Sequence, residues 1–281
     1  MINNTEDVII SVHMGVERIL IHTPLIIIDT HLDDSLGKRD ELSGSFEKLC
    51  TLTSFKDIRK IVRKCENKLI IKYYKESTLI IDNDEDEKVV LSKFYIYFDP
   101  QISIILNILN EDWVNYLINF DHNLWVDSQT SIGSTHSLPE EYTTLVSRTR
   151  KSKSIIFEHY EDEIISKVEE RAALVAGIDV KYLEKLVMVK YNPGDYFNQH
   201  HDGSFRSHTL LLYLNDVEGG ETVFPELGIG ISPIANSGVL WRNVTDSGEM
   251  DERLIHAGTT PTSGTKYVIN CFFNKLPIRS Y

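Results

Sequence analysis

Residues 191–202, Y-N-P-G-D-Y-F-N-Q-H-H-D, place an imidazole and a carboxylate two positions apart. On an extended strand, or at its end, residues i and i+2 project to the same side. His200 and Asp202 can therefore both reach one ion, whereas His201 points away. A single His beside an Asp is usually structural, so a metal site at this position needs a further ligand.

The sequence L-I-H-A-G supplies that ligand as His256, after several strand-like runs that a β-barrel or jelly roll could fold back. Two His and one carboxylate on one face of an ion leave three positions open, which suits non-haem Fe(II) oxygenases. Beyond His256, the run K-Y-V-I-N-C-F-F alternates so that Lys266, Val268 and Asn270 share one face. A lone cation aimed into a barrel needs an anion.

The order H-x-D, then H, then a basic residue resembles that of the Fe(II)- and 2-oxoglutarate-dependent dioxygenases. From residue 191 onward the sequence resembles the catalytic domain of the prolyl 4-hydroxylase alpha-subunit family. The matching segments are Y-N-P-G ahead of H-H-D, L-L-Y-L-N-D-V-E-G-G-E-T-V-F-P at 211–225, W-R-N at 241–243, H-A-G at 256–258 and G-T-K at 264–266. These segments cover roughly a third of the chain.

The fold is expected to be mainly β with flanking helices, an α+β protein. Short strands separated by turns at 208–215, 238–242, 253–256 and 266–273 predict a sandwich or barrel. The resemblance implies a distorted double-stranded β-helix, also called a jelly roll. Flanking helices are predicted at 110–120, with Asn110 as the N-cap, and at 159–175, ended by Gly177.

The N-terminal part, residues 1–92, is predicted to be a small α+β region of unknown role. Its elements are one buried strand, or two broken at Pro24, at 19–28, a helix at 54–64, and a hairpin of 69–74 with 78–81 turned at 75–77. The acidic run at 82–87 is interpreted as a solvated loop and a domain boundary. The dioxygenase domain is placed at 93–281, with its motif core at 187–275.

The resemblance assigns the metal ligands and the cosubstrate anchor. His200, Asp202 and His256 would hold Fe(II), and 2-oxoglutarate would chelate the metal through its 2-oxo acid end. Lys266 would pair with the distal carboxylate of 2-oxoglutarate. O2 is the second cosubstrate, ascorbate is expected to support turnover, and no side chain is given a catalytic role beyond the metal centre.

Three further residues match positions near the cosubstrate. Tyr191 is expected to donate its hydroxyl to the same distal carboxylate, although it could only pack. Thr222 and Trp241 match positions beside the cosubstrate pocket, although a strand Thr and a core Trp are common structural residues. Lysine at 266 separates this branch from lysyl hydroxylases, oxygen-sensing prolyl hydroxylases and nucleic acid demethylases, which typically carry Arg there, and the two cations are not interchangeable at a carboxylate.

The implied activity is hydroxylation of prolyl residues in a polypeptide, at the 4-position, with release of succinate and CO2. S-R-T at 147–149 resembles a segment beside the peptide groove, with Arg148 as the substrate-binding residue. The basic residues that follow replace a small-residue run of the family. Two alternatives stay open: an oxygenase of the same fold that acts on another residue or a small molecule, and a jelly-roll binding protein without turnover.

Composition excludes some partners. The 281 residues carry a net charge of −13 and are 42% hydrophobic, so neither a general grip on nucleic acid phosphates nor a membrane partner is expected. Cys50, Cys65 and Cys271 are too few and scattered for a disulfide framework, which favours a reducing compartment. With no apparent leader or membrane span, a cytoplasmic location is predicted. The sequence does not indicate the oligomeric state.

Overall fold

The computed structural model describes residues 9–13, 18–25, 62–64, 73–82, 87–120, 124–132, 143–146 and 148–279. Within these residues the α-helices are α1, Glu111–Ile118, and α2, Glu163–Ala176. Short 3-10 helices lie at Val180–Tyr182, Pro225–Leu227 and Glu252–Leu254.

The strands of the first half are β1 Ile9–His13, β2 Arg18–Leu25, β3 Val62–Lys64, β4 Tyr73–Asp82, β5 Glu87–Phe98, β6 Gln101–Leu106, β7 Val126–Asp127, β8 Thr130–Ile132, β9 Thr143–Leu145, β10 Arg150–Lys151 and β11 Lys153–Ile156. Those of the second half are β12 Val187–Tyr191, β13 Tyr196–His200, β14 Arg206–Tyr213, β15 Glu218–Gly219, β16 Thr222–Phe224, β17 Ile229–Ile231, β18 Ser237–Arg242, β19 His256–Gly258, β20 Pro261–Ser263 and β21 Lys266–Asn274.

Two large antiparallel sheets hold most strands of the described part of the chain, and the pairs β15–β20 and β8–β9 form two further sheets. The larger has eleven strands in the order β1-β2-β4-β5-β6-β18-β14-β21-β12-β11-β7, and the smaller has six in the order β10-β13-β19-β16-β17-β3. β13 and β19, which carry the predicted His ligands, are neighbours in the smaller sheet. β21, which carries Lys266, lies in the larger sheet between β12 and β14.

The strands β6, β18 and β14 in the middle of the larger sheet are mostly buried on both faces, which explains the continuous apolar run of β14. Leu211 and Tyr213 point into a cluster that also contains Phe224 from the smaller sheet. Leu210 and Leu212 point the other way, into the cluster that contains the helices. Side chains alternate along a strand, so a strand covered on both faces has no polar side.

Helix α1 begins as predicted. The side chain of Asn110 accepts a hydrogen bond from the backbone N–H of Trp113 at 2.8 Å, which satisfies one of the free donors of the first turn. Trp113 and Leu117 are buried against the helix-facing side of the larger sheet.

Helix α2 begins at Glu163, so the predicted start at residue 159 is wrong. Tyr160 has a φ of 56°, which a right-handed helix cannot include. Asp162 caps the helix by accepting from the N–H of Ile165 at 2.8 Å. Gly177 ends the helix with a φ of 70°, which confirms the predicted stop.

The strand predicted at 253–256 is wrong in its first part. Asp251 accepts from the N–H of Arg253, which caps the 3-10 helix Glu252–Leu254. Strand β19 starts only at His256, so this ligand is the first residue of its strand.

The hairpin predicted at 69–81 is also wrong, because β4 runs without interruption through residues 75–77 and pairs with β2 and β5. The sequence K-E-S lacks the Gly, Pro or Asn that a tight turn favours. Asp82 and Glu87 are instead the last pair of β4 and β5, so the acidic run joins two paired strands.

Other N-terminal predictions are only partly covered. Of the helix predicted at 54–64, residues 54–61 lie outside the described residues, and Val62–Lys64 forms β3, which pairs with β17. Residues 26–28 of the strand predicted at 19–28, as well as Cys50 and Cys65, also lie outside them. Cys271 is a buried free thiol.

The predicted boundary at residue 93 falls inside β5, which pairs with β4 on one edge and β6 on the other. The division into two domains stays a prediction. In the described part of the chain, neither helix combines the length and the apolar character needed to cross a bilayer.

Candidate metal and cosubstrate site

The three predicted ligands converge. One ligand atom each from His200, Asp202 and His256 lies within 4.8 Å of the other two. Nε2 of His200 is 3.7 Å and Nε2 of His256 is 3.8 Å from Oδ1 of Asp202. The convergence follows from the pairing of β13 with β19, in which His200 and His256 are direct register partners.

Both imidazoles are held by backbone carbonyls. Nδ1 of His200 lies 2.8 Å from the carbonyl oxygen of Asn198, and Nδ1 of His256 lies 3.0 Å from that of Leu254. A carbonyl only accepts, so Nδ1 carries the hydrogen in both rings and Nε2 keeps its lone pair. This is the usual orientation of metal-bound imidazoles.

The carboxylate of Asp202 is oriented by a buried polar chain. Thr209 Oγ1 donates to Oδ2 of Asp202 at 2.7 Å, and Asn243 Nδ2 donates to Thr209 Oγ1 at 2.9 Å. Thr209 and Asn243 are both fully buried. Oδ2 is thereby occupied, and Oδ1 faces the two imidazoles.

His201 is not a ligand but supports the same loop. Its Nε2 lies 3.1 Å from the carbonyl oxygen of Asn243, and its Nδ1 accepts from the N–H of Gly203 at 3.0 Å. The predicted opposite orientation of this ring is confirmed: it ties the loop after β13 to the end of β18.

The protonation states suit a divalent metal. Burial and the neighbouring His256 lower the pKa of His200 to about 3. Burial alone would raise the pKa of Asp202, but His256, His200, Arg206 and the Thr209 hydroxyl hold it below its ordinary value. At neutral pH the site therefore presents a neutral His200 imidazole beside a carboxylate, the donor types that iron accepts.

A cavity of about 820 Å³ opens beside the triad. Its walls include the three ligands and all four predicted cosubstrate residues, Tyr191, Thr222, Trp241 and Lys266. Val268 and Asn270 also line it, which confirms the predicted shared face of β21.

Lys266 is a buried cation that forms no ion pair with any described residue. It is 2% exposed, and its Nζ donates to the carbonyl of Gly220 at 2.6 Å. The rings of Tyr191 and Tyr213 each have their centroids 5.4 Å from Nζ. Burial lowers the pKa of Lys266 to about 7. A buried ammonium surrounded by aromatic rings and one carbonyl fits an anionic ligand.

Two more residues in the cavity wall can donate a hydrogen bond to a ligand. The indole N–H of Trp241 is buried and has no acceptor among the described residues. Thr222 Oγ1 accepts from the Tyr213 hydroxyl at 2.7 Å, which leaves the hydrogen of Thr222 to donate elsewhere. Gly219 ends β15 and Gly220 follows it, with φ of 73° and 66°, so the turn predicted at the two glycines is wrong for Gly219, which pairs with β20; the carbonyl of Gly220 holds Lys266.

Arg148 does not line the cavity. It is exposed, and its backbone carbonyl accepts from the Tyr196 hydroxyl at 3.0 Å. Thr149 and Arg150 line the cavity instead. A substrate contact by Arg148 stays a prediction.

Sequence reasoning missed Thr209, Asn243 and Arg150. Asn243 belongs to the matching W-R-N segment, but only its Trp was singled out. Thr209 gives no sequence signal because it lies in an apolar strand, and its role depends on the loop that returns Asp202 to β14.

Comparison with known proteins agrees with this geometry. Residues 186–274 match the family model of the 2OG-Fe(II) oxygenase superfamily. Prolyl 4-hydroxylase subunit alpha-2 of Gallus gallus is 35% identical over 150 residues, covering 49% of this chain and 28% of that protein. Subunit alpha-1 of Homo sapiens is 32% identical over 136 residues, covering 43% and 26%. The chain thus spans about a quarter of the length of these relatives.

Among solved structures, a viral collagen prolyl hydroxylase from Paramecium Bursaria Chlorella virus-1 aligns with a TM-score of 0.50 at 22% identity. The alignment covers 62% of this chain and 96% of that chain. The likeness bears out the expected distorted jelly roll. Residues 186–274, which contain the three converging ligands and Lys266, are therefore the part of the chain that is similar to the 2OG-Fe(II) oxygenase superfamily.

Proposed function

We propose that this chain is an Fe(II)- and 2-oxoglutarate-dependent dioxygenase that hydroxylates prolyl residues in a polypeptide. The observation that carries the proposal is one cavity with a His-Asp-His triad in its wall and a buried cation without an ion pair, Lys266, in the same wall. A metal site alone would fit many activities, but the added anion site fits a dicarboxylate cosubstrate.

Different residues would bind the iron and the 2-oxoglutarate. His200, Asp202 and His256 would hold the iron, Lys266 with Tyr191 would hold the distal carboxylate of 2-oxoglutarate, and Thr222 and Trp241 would line the cosubstrate pocket. When bound, iron and 2-oxoglutarate supply the oxidant that places one oxygen atom of O2 in a substrate C–H bond, with succinate and CO2 as the other products. The protein orients the reactants, so no further side chain is assigned a catalytic role.

The proline specificity is supported by the names of the relatives and by the cavity surface. Val126 and Ile156 are 59% and 60% exposed, and both line the cavity together with Phe272. Such apolar surface suits a prolyl ring and the extended polyproline conformation, which exposes its backbone carbonyls because it makes no internal hydrogen bonds.

The test is mass spectrometry of proline-rich peptides after incubation with Fe(II), 2-oxoglutarate and ascorbate. We expect a gain of one oxygen atom on proline, with succinate formed in equal amount. Fragmentation and a hydroxyproline standard then decide the ring position. Oxygen added only to another residue, or only to a small molecule, would support the first alternative, and absence of any 2-oxoglutarate turnover would support a binding protein.

The cellular location and the role of ascorbate need measurements of their own. A cytoplasmic location stays a prediction from the sequence, and so does the support of turnover by ascorbate. Omitting ascorbate from the peptide assay tests the latter directly, since turnover should then decline over successive cycles.

A further inference from the structure

We infer that Arg150 forms a subsite for an acidic side chain, so that the preferred polypeptide carries Asp or Glu near the residue that is modified. The inference rests on the proposed function, which supplies the reaction and the polypeptide substrate. Its own evidence is the position and the bonding of one guanidinium in the cavity wall.

Arg150 is fixed close to the metal site. It lies on β10 opposite Phe197 of β13, and its guanidinium carbon is 4.5 Å from the centroid of the Phe197 ring. Phe197 in turn stacks on His200, with a centroid distance of 3.5 Å and an interplanar angle of 19°. Arg150 and Phe197 both line the cavity. One aromatic ring therefore links a permanent positive charge to a metal ligand.

The hydrogen bonds of Arg150 leave its charge without a counter-ion. Nε donates to Ser152 Oγ at 2.9 Å, and Nη1 donates weakly to the carbonyl of Gln129 at 3.4 Å. Both acceptors are neutral. Among the described residues, Nη2 has no acceptor and Arg150 has no carboxylate partner. Arg150 is partly exposed, so a solute can reach it.

Three cations near Arg150 differ from it in this respect. Each has a carboxylate: Lys151 with Asp195 at 3.0 Å, Lys153 with Asp127 at 3.5 Å and Arg206 with Glu184 at 2.7 Å. Lys266 is buried and belongs to the cosubstrate end of the cavity. Of the lysines and arginines that line the cavity, Arg150 is thus the one that remains for a substrate side chain, and a guanidinium presents paired N–H groups that match a carboxylate.

The experiment uses pairs of fluorescent polyproline peptides that differ only by Glu or Gln at successive positions beside the target proline. Binding is measured by anisotropy with Mn(II) and 2-oxoglutarate present, and hydroxylation by mass spectrometry with Fe(II). At the best position the wild type should favour Glu about two- to fivefold, the range of a partly exposed ion pair. Added salt should reduce this ratio.

Two variants separate charge from packing. Arg150→Gln should bring the ratio to about one, whereas Arg150→Lys, which keeps the charge, should retain most of it. Lys185→Ala removes a positive charge from an exposed pair with Glu158 and should leave the ratio unchanged. Mn(II) affinity, measured in each variant, reports whether the Phe197–His200 stack survives.

A wild-type ratio of one at every position, or a ratio that Arg150→Gln does not change, overturns the subsite. The proposed function fails separately. If proline is hydroxylated equally in both peptides, the function stands and the subsite falls. If the Arg150-dependent preference in binding is found without hydroxylation of proline, the subsite stands and the function falls.

Discussion

The two oxygens of the Asp202 carboxylate have different surroundings, and this difference leaves one oxygen available to bind a metal. Oδ2 is fixed by Thr209, which is fixed by Asn243, while Oδ1 faces the two imidazoles. The polar chain is buried, so each hydrogen bond in it stands in a low dielectric and cannot be replaced by water. Partners of this kind orient ligands before the metal arrives.

Thr209→Val removes the hydroxyl and keeps the shape. We expect affinity for Mn(II) to fall about ten- to a hundredfold, because Asp202 loses its orienting donor. Thr209→Ser restores the hydroxyl and should bind metal close to the wild type. The affinity is measured by titration with Mn(II), with free Mn(II) followed by electron paramagnetic resonance. Equal affinities of Thr209→Val and the wild type would show that the hydrogen bond from Thr209 does not orient Asp202.

Replacement of each ligand by Ala should be more severe. For His200, Asp202 and His256 we expect loss of measurable Mn(II) binding at concentrations that saturate the wild type, since a three-residue site has no spare ligand. His201→Ala is the comparison, because His201 is the neighbouring imidazole that does not face the ion. A ligand variant that titrates like the wild type would remove that residue from the site.

Lys266 should set the affinity for 2-oxoglutarate. Lys266→Met keeps the approximate length of the side chain but removes its charge. Loss of a charge-assisted hydrogen bond of roughly 1.5–3 kcal/mol should weaken 2-oxoglutarate binding about ten- to a hundredfold. The affinity for Mn(II) should be nearly unchanged. A wild-type dependence on 2-oxoglutarate in this variant would contradict the assignment.

The pKa of about 7 adds a second test of Lys266. Below pH 7 the ammonium is already charged, whereas above it the free protein must take up a proton when the dianion binds. The affinity should therefore decline as the pH rises above about 7, and calorimetry in buffers of different ionisation enthalpy should detect the proton uptake. Lys266→Met should show no such uptake.

At the scale of elements, the C-terminal segment is attached to α2 through a buried ion pair. Glu169 is fully buried in α2 and accepts from Arg279 at 2.9 and 2.8 Å. The Tyr160 N–H and the His159 ring also contact its carboxylate. Arg279 additionally donates to the carbonyl of Leu183. The segment thus joins α2 to the chain that leads into β12.

Arg279→Ala should destabilise the fold by about 3–5 kcal/mol, because it leaves a buried carboxylate with too few donors. Lys185→Ala, which breaks an exposed ion pair, should change the stability by less than about 1 kcal/mol. Urea unfolding followed by tryptophan fluorescence measures both. Equal midpoints for the two variants would mean that the buried pair adds no more than a surface pair.

At the scale of the whole molecule, the cavity lies where the two sheets meet, with the metal ligands on the smaller sheet and Lys266 on the larger. Under the proposed function, a substrate polypeptide would enter past the strands at the rim of the cavity, of which β10, with the cavity-lining Arg150, is one. The rim carries the cations of residues 148–153 in a chain whose net charge is −13. Approach of a polypeptide to this rim is the step in which Arg148 can act.

Arg148→Ala should raise the peptide KM about two- to fivefold and leave uncoupled 2-oxoglutarate decarboxylation unchanged, the pattern of lost substrate binding. Arg148 is expected to grip backbone carbonyls, so Glu and Gln peptides should be affected equally, in contrast to Arg150→Gln. Steady-state kinetics with both peptides checks this. If the peptide KM of Arg148→Ala equals that of the wild type, Arg148 does not contact the substrate.

The placement of His200, Asp202 and Lys266 was predictable because its signal is local. The i, i+2 spacing places His200 and Asp202 on one side of any extended strand, and strand parity places Lys266 with Val268 and Asn270 whatever the neighbouring strands are. The resemblance then supplied His256. Helix ends with capping side chains, such as Asn110 and Gly177, were predictable for the same reason.

Tertiary pairing decided what local rules could not. Residues 75–77 continue a strand because β2 and β5 hydrogen-bond to both its edges, and Val62–Lys64 forms a strand because β17 offers it an edge. The Thr209–Asn243 chain and the Arg150–Phe197–His200 stack join residues from separate strands. Such contacts depend on register between strands distant in sequence, which no short stretch of sequence encodes.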